Sequence, residues 1–262
     1  MLPLALSIAG SDPSGGAGIQ ADLKTFHQHG AYGMAVIALL TAQSTRGVTR
    51  VDVCAPDAVL AQLDTLLADL TPGAAKTGAL GSAANVRAIA ERARSFSFPL
   101  IVDPVMISKH GAPLLDDDAR AAIATELMPA CALITPNAHE ASALTGREVR
   151  TLAQARDAAR ALIDLGARAA LVKGGHVEGD AVDVLARGDE LIEIAGPRID
   201  TQHTHGTGCT YSAAITARLA QGDELVDAIR GAKAWLTEAL RRAPGIGHGV
   251  GPLDHFTPVA RR

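Results

Sequence analysis

The sequence predicts an α/β fold: a central, mostly parallel sheet flanked by helices, with a small antiparallel hairpin at one edge. Three observations lead there. Short apolar runs alternate with helical periodicity along the chain, the pattern of parallel strands joined by crossover helices. The runs are apolar throughout rather than at every second residue, which suits strands covered on both faces. No Pro- or Ser-rich linker, charge block or internal repeat interrupts the pattern, so residues 1–262 read as a single domain.

Taken in order, buried strands are expected over residues 3–9, 34–40, 74–77, 100–103, 132–135 and 169–173. Val59, Leu60, Leu63, Leu66, Leu67 and Leu70 recur at three- and four-residue steps, one apolar helix face. Thr151 followed by Gln154 is a capping box and Gly166 a stop signal, which bound a second helix over residues 152–165. Further helices are expected after Ala17, Gly81, Asp116, Asn137, Gly206 and Glu224. Residues 181–194 alternate around the turn Arg187, Gly188, Asp189, Glu190, which reads as a hairpin at a sheet edge.

Composition narrows the function classes. Lys plus Arg number 24 against 28 Asp plus Glu, a net charge of -4, so no broad cationic surface awaits nucleic acid or an anionic membrane. Aromatic residues are only 3% of the chain, too few for a base-stacking platform. Cys54, Cys131 and Cys209 are scattered and form no CxxC pair, which points to a reducing, cytoplasmic setting without a structural zinc. Residues 2–9 are apolar but lack a basic leader, and so read as a first strand, not a signal peptide. The apolar stretch around residues 34–42 falls short of the ~18–20 residues of a membrane helix. A small-molecule partner is the expectation.

In open sheets of this kind ligands gather beyond the carboxyl ends of the strands, so the loops leaving those ends carry the functional reading. Residues 10–18, Gly-Ser-Asp-Pro-Ser-Gly-Gly-Ala-Gly, lead into a GxGxxA match from Gly16 to Ala21. After Asp22 no acid follows until Asp52, so the ribose-binding carboxylate of a dinucleotide site is missing. A P-loop is absent too. The sharper signal is His205-Gly206-Thr207-Gly208-Cys209-Thr210 before a helical pattern. Glycines there leave N–H groups uncovered at a helix N-terminus, where unsatisfied donors and the macrodipole attract an anion. Gly206, Gly208 and Cys209 are therefore candidate catalytic residues, with Thr207 in the same loop a candidate nucleotide contact. The same field is expected to lower the Cys209 thiol pKa from ~8.5 towards neutrality.

Asp103 and Glu140 leave two further strand ends; carboxylates there suit Mg²⁺ held through water beside nucleotide phosphates. Lys173 ends another strand and can meet phosphate as a point charge. His139-Glu140 opens like a zinc-protease motif, but position 143 is Ala, so the second ligand is absent. The pairs His27/His29 and His203/His205 lack a matching Cys pair and carry no metal assignment.

With these motifs assembled, the chain resembles the hydroxymethylpyrimidine/phosphomethylpyrimidine kinases, a thiamine-biosynthesis group of the ribokinase-like superfamily. The resemblance runs from AGSDPSGGAGIQADLKTF (residues 9–26) through TAQSTRGV, VDPVM, LITPNAHEA, LVKGGH and HGTGCT to GHGVGPLDHF (residues 247–256). It implies a three-layer ribokinase-like fold, ATP as phosphoryl donor, Mg²⁺, two successive transfers onto an aminopyrimidine, and a homodimer. It also implies that Gly10, Asp22 and Gln43 hold the pyrimidine. A Gln amide matches an exocyclic amine and adjacent ring nitrogen with one acceptor and one donor. Where the family often has a KxGM-like segment, this chain reads Lys76-Thr77-Gly78-Ala79. Related pyridoxal kinases share much of the pattern and form the nearest alternative. A Cys209-dependent thiol hydrolase, with His205 or His203 as base, is the alternative from another class.

Overall fold

The computed structural model describes residues 2–106, 116–177 and 179–260. In chain order the elements are β1 (Leu4–Ser11), α1 (Gly18–Gln28), β2 (Tyr32–Ser44), β3 (Gly47–Val53), α2 (Pro56–Leu67), β4 (Ala74–Thr77), α3 (Ala83–Ala93) and β5 (Leu100–Val102). They continue with α4 (Asp117–Ala122), β6 (Leu133–Ile134), α5 (Ala138–Thr145), α6 (Leu152–Asp164), β7 (Ala170–Val172), β8 (Asp183–Arg187), β9 (Glu190–Ile194), α7 (Thr207–Ala220) and α8 (Leu225–Arg241).

Among the described residues the strands form one nine-stranded sheet, ordered β3-β2-β1-β4-β5-β6-β7-β8-β9. The six strands from β2 to β7 run parallel, while β3, β8 and β9 each pair antiparallel with a neighbour. From β1 the chain steps to β2 on one side, then crosses back through α2 to β4 on the other. The order reverses between β1 and β4, and the crevice beyond their carboxyl ends is where such sheets take ligands.

Helices α2 to α6 cover one face through Val59, Leu63, Ile89, Ala138 and Leu162, all fully or almost fully buried. The other face carries α1, α7 and α8 through Phe26, Ile215, Ile229 and Trp235. Each buried Leu or Ile contributes up to ~1.5–3 kcal/mol, so both layers hold the strand ends in place.

All six expected strands form, with bounds shifted by a few residues, and residues 181–194 form the edge hairpin β8–β9. The Thr151–Gln154 and Asn137–Glu140 capping boxes are both made. Strand β3 was not expected. From Thr49 onward its residues are exposed, so it lacks the apolar run that marks a covered strand. Arg50 and Asp52 on this outer strand are the kind of charge that protects a free edge.

Candidate active site

The carboxyl ends of β1, β4, β5, β6 and β7 and the N-terminus of α7 converge on one region. The loop leaving β1 is shaped around Asp12. Its carboxylate accepts from the Ser14 N–H and hydroxyl and from the Ala17 N–H, each at 2.9 Å. Its Oδ2 lies 2.8 Å from His205 Nε2. Burial alone would raise this carboxyl, but the bonds from His205 and Ser14 outweigh it and hold it below the usual range. Gly10 sits at the β1 bulge, and at Gly18 (φ +56) a Cβ would come within 2.3 Å of the Gly10 oxygen.

The second wall is the turn into α7. Gly206 caps the helix at φ +73, and a Cβ there would stand 1.7 Å from the Gly16 oxygen. The two glycine loops touch only because neither carries a side chain at that point. Thr207 donates its hydroxyl to the Thr204 oxygen at 2.8 Å and makes a long 3.4 Å amide contact to the same oxygen. The Gly208 and Cys209 N–H groups have no i−4 carbonyl to reach, and no acceptor takes them among the described residues. They lie at the positive end of a 14-residue helix. A Cβ on Gly208 would meet Lys173 Nζ at 3.3 Å and Asp103 Oδ2 at 3.7 Å. Gly208, at the start of the helix, therefore stands beside that ion pair.

Asp103 is buried and accepts from Lys173 Nζ at 2.9 Å and from the Ser212 hydroxyl at 3.2 Å. Lys173 is not an ordinary surface lysine: its side chain is 11% exposed. Glu140 accepts the Asn137 N–H at 2.8 Å as the return bond of the capping box. Burial, with Asp103 adding to it against Lys173, pushes Glu140 up to about 7. No group of three His, Cys, Asp or Glu among the described residues is placed to hold a metal ion directly. The fit to Mg²⁺ rests on two carboxylates facing a single lysine, one of them short of positive charge. Asp103 is already engaged by Lys173 and Ser212, so the pair suits a hydrated ion held through its waters.

Two sequence-based expectations are corrected here. The first concerns Cys209. The residue keeps some accessible surface, yet burial of its sulfur, with Asp22 and Asp103 nearby, pushes the thiol up to about 12 against the pull of Lys76 and a Gly18 N–H. Helix-end stabilisation does not overcome desolvation, and the thiol holds its proton at neutral pH. The second concerns Asp22, expected to touch a ligand. It has no accessible surface, and its two oxygens are taken by Lys76 Nζ at 2.9 Å and the Ser7 hydroxyl at 2.6 Å. Asp22 lies under the site, not in it.

Lys76 was singled out only as a departure in its motif, yet it is fully buried and its ammonium also lies 3.4 Å from the Cys209 carbonyl oxygen. Burial alone would lower its pKa, but the charge of Asp22, with Asp103 adding to it, raises it on balance. Gln43, half-buried near the end of β2, sits 3.1 Å from His205 Nε2 and 3.2 Å from Thr41 Oγ1. His205 ties in the C-terminal segment by donating its N–H to the Gly251 oxygen at 3.0 Å, while Val250 N–H reaches the Thr45 oxygen at 2.9 Å. None of these partnerships is legible in spacing.

The sequence profile of the phosphomethylpyrimidine kinase family matches residues 12–254. A hydroxymethylpyrimidine/phosphomethylpyrimidine kinase of Synechococcus elongatus is 46% identical over 260 residues, covering 98% of this chain and 99% of its own. Among solved structures, an ADP complex of Bacillus subtilis pyridoxal kinase superimposes with a TM-score of 0.90 at 36% identity, over 98% of each chain. A phosphomethylpyrimidine kinase from Clostridium difficile 630 gives 0.80 at 39% identity, over 91% of this chain and 99% of that one.

Proposed function

The chain belongs to the phosphomethylpyrimidine kinase family, and on that footing we propose that it transfers phosphoryl groups from ATP to 4-amino-5-hydroxymethyl-2-methylpyrimidine and then to the resulting monophosphate. The observation that carries this reading is the Gly208 and Cys209 N–H pair, which no acceptor takes among the described residues, with Gly208 beside Lys173 and Asp103.

In the first transfer the hydroxymethyl oxygen bonds to the γ-phosphorus of ATP, the bond to the β,γ-bridging oxygen breaks, ADP leaves, and the hydroxyl proton is released. In the second transfer a phosphate oxygen of the monophosphate attacks in the same way. The transition state is loose, so positioning and electrostatics supply most of the rate. Gly206 sets the turn, and Gly208 and Cys209 offer N–H donors to the migrating group. Lys173 and Thr207 contact the nucleotide phosphates. Asp103 and Glu140 are the residues that would hold Mg²⁺, which would neutralise charge on the ATP oxygens. Gln43 and the main chain at Gly10 face the pyrimidine, and Asp22 acts from below through Lys76. A thiol that stays neutral at Cys209 does not repel the phosphate of the second substrate, as a fixed carboxylate there would.

The reading extends to a single domain that works in the cytoplasm as a homodimer; no helix among the described residues is long and apolar enough to cross a membrane. Pyridoxal is the second substrate to test, because the fold superimposes so closely on a pyridoxal kinase. The thiol-hydrolase alternative loses its support, since burial raises the Cys209 thiol to about 12 and keeps it from acting as a thiolate nucleophile. The test is to incubate the purified protein with Mg-ATP and the hydroxymethylpyrimidine, and to follow mono- and diphosphate by mass spectrometry. Both products are expected in succession, with pyridoxal phosphorylated far more slowly. Absence of both pyrimidine products overturns the assignment.

A further inference from the structure

The side chains of Asp12, His205, Gln43 and Thr41 form a hydrogen-bonded chain whose proton positions follow from counting donors. His205 Nε2 lies 2.8 Å from Asp12 Oδ2 and 3.1 Å from the end of the Gln43 amide that the structure assigns as Nε2. The end assigned as Oε1 lies 3.2 Å from Thr41 Oγ1, which is 2.9 Å from the Ser11 carbonyl oxygen. The oxygen and nitrogen ends of an amide are alike in shape, so the network decides which faces which partner.

Asp12, held ionised by His205 and the Ser14 bonds, only accepts. His205 Nε2 therefore carries a hydrogen. A nitrogen that already bears hydrogen cannot accept from an NH₂ group, so the Gln43 end turned to His205 is the oxygen. The Ser11 carbonyl also only accepts, so the single Thr41 hydroxyl hydrogen points to it, and the Thr41 oxygen is left to accept from the Gln43 NH₂. With the amide reversed, two donors would oppose each other at His205 and two acceptors would compete for one hydrogen at Thr41; in the orientation chosen no donors oppose, and the one shared hydrogen is that of His205 Nε2, given mainly to Asp12 at 2.8 Å and in part to the Gln43 oxygen at 3.1 Å. The ring itself is fixed: His205 is 2% exposed, and a Cβ on Gly16 would come within 2.5 Å of its Cδ2.

We propose that the Asp12–His205 pair and Thr41 lock the Gln43 amide in one orientation, oxygen towards His205 and nitrogen towards Thr41, making His205 a positioning residue for substrate specificity. This rests on the reading above that Gln43 faces the pyrimidine. A ligand then meets an acceptor on the His205 side and a donor on the Thr41 side. An aminopyrimidine fits with its amine to the first and its ring nitrogen to the second. The 4-oxo analogue, with a carbonyl and a ring N–H in those places, presents the reverse pattern and is rejected because both polar contacts become unfavourable.

The experiment combines nitrogen NMR of the full-length protein, with labelled His and Gln, and kinetics on the amino and 4-oxo pyrimidines. The expected spectrum shows His205 Nε2 bearing hydrogen. The expected kinetics show the amino-over-oxo ratio of kcat/KM falling at least tenfold in His205→Met, which frees the amide to turn. His205→Gln, which keeps an N–H donor at similar reach, is expected to recover most of that ratio. An unprotonated Nε2 overturns the proposal. So does a His205→Met enzyme that loses activity on both pyrimidines equally, the mark of a merely structural residue. Failure of the underlying reading looks different: wild type turns over neither pyrimidine, while the spectrum alone still decides the amide orientation.

Discussion

Lys76 and Lys173 are near-twins placed to opposite ends. Each sits at or just past the carboxyl end of a parallel strand, and each ammonium lies 2.9 Å from one aspartate oxygen. The Lys76–Asp22 pair is sealed, with no accessible surface on either side chain, and Ser7 completes it. The Lys173–Asp103 pair keeps 11% of the lysine open, lies beside Gly208, and has a second carboxylate, Glu140, acting on it. A closed pair satisfies its own charges and holds elements together. An open pair with an extra carboxylate leaves charge for a ligand to complete. Burial alone does not separate structural from functional ion pairs; what separates them is whether the local charge closes without a partner.

That contrast is sharpest in substitution. Lys76→Met strands the Asp22 carboxylate in the core and is expected to lower stability by about 3–5 kcal/mol, read by urea unfolding. The double variant with Asp22→Asn is expected to recover much of that loss. Lys173→Met is expected to act the other way round: about 10²–10³-fold lower kcat/KM with the smaller loss of stability. Equal stability losses in the two lysine variants would erase the distinction drawn between the pairs.

A milder effect is expected with pH. Glu140 rises from 4.5 to about 7 in the folded chain, so the folded state binds its proton more tightly than the unfolded state does. Its contribution to stability is complete below about pH 4.5 and is lost as pH climbs through 7, about 3 kcal/mol in all. Unfolding followed from pH 5 to 8 is expected to show that decline in wild type and a flatter profile in Glu140→Gln. The smallest effect concerns Cys209→Asp. It is expected to slow the second transfer about tenfold more than the first, because a carboxylate repels the monophosphate, and a product time course measures both. Equal slowing would remove the charge argument.

The sequence carried most of the sheet, since β1, β2 and β4 to β7 are runs covered by helices on both faces and must be apolar. It did not carry β3, whose outward residues Arg50 and Asp52 look like loop. The site was legible as a set of strand-end loops, because Gly206, Gly208, Asp103 and Lys173 stand in local motifs. Pairings were not legible. Lys76 meets Asp22 across 54 positions and His205 meets Asp12 across 193, distances that only the folded sheet closes. The thiol shift was read with the wrong sign because a helix end shows in sequence, whereas the burial that overrides it does not.

The central claim is that the first turn of α7 receives the migrating phosphoryl group. Its most direct test is a crystal structure with ADP, aluminium fluoride and the hydroxymethylpyrimidine. The planar mimic is expected within hydrogen-bond distance of the Gly208 and Cys209 nitrogens, with Lys173 on its nucleotide side. A mimic bound elsewhere, with those two nitrogens turned to protein acceptors, would contradict the account.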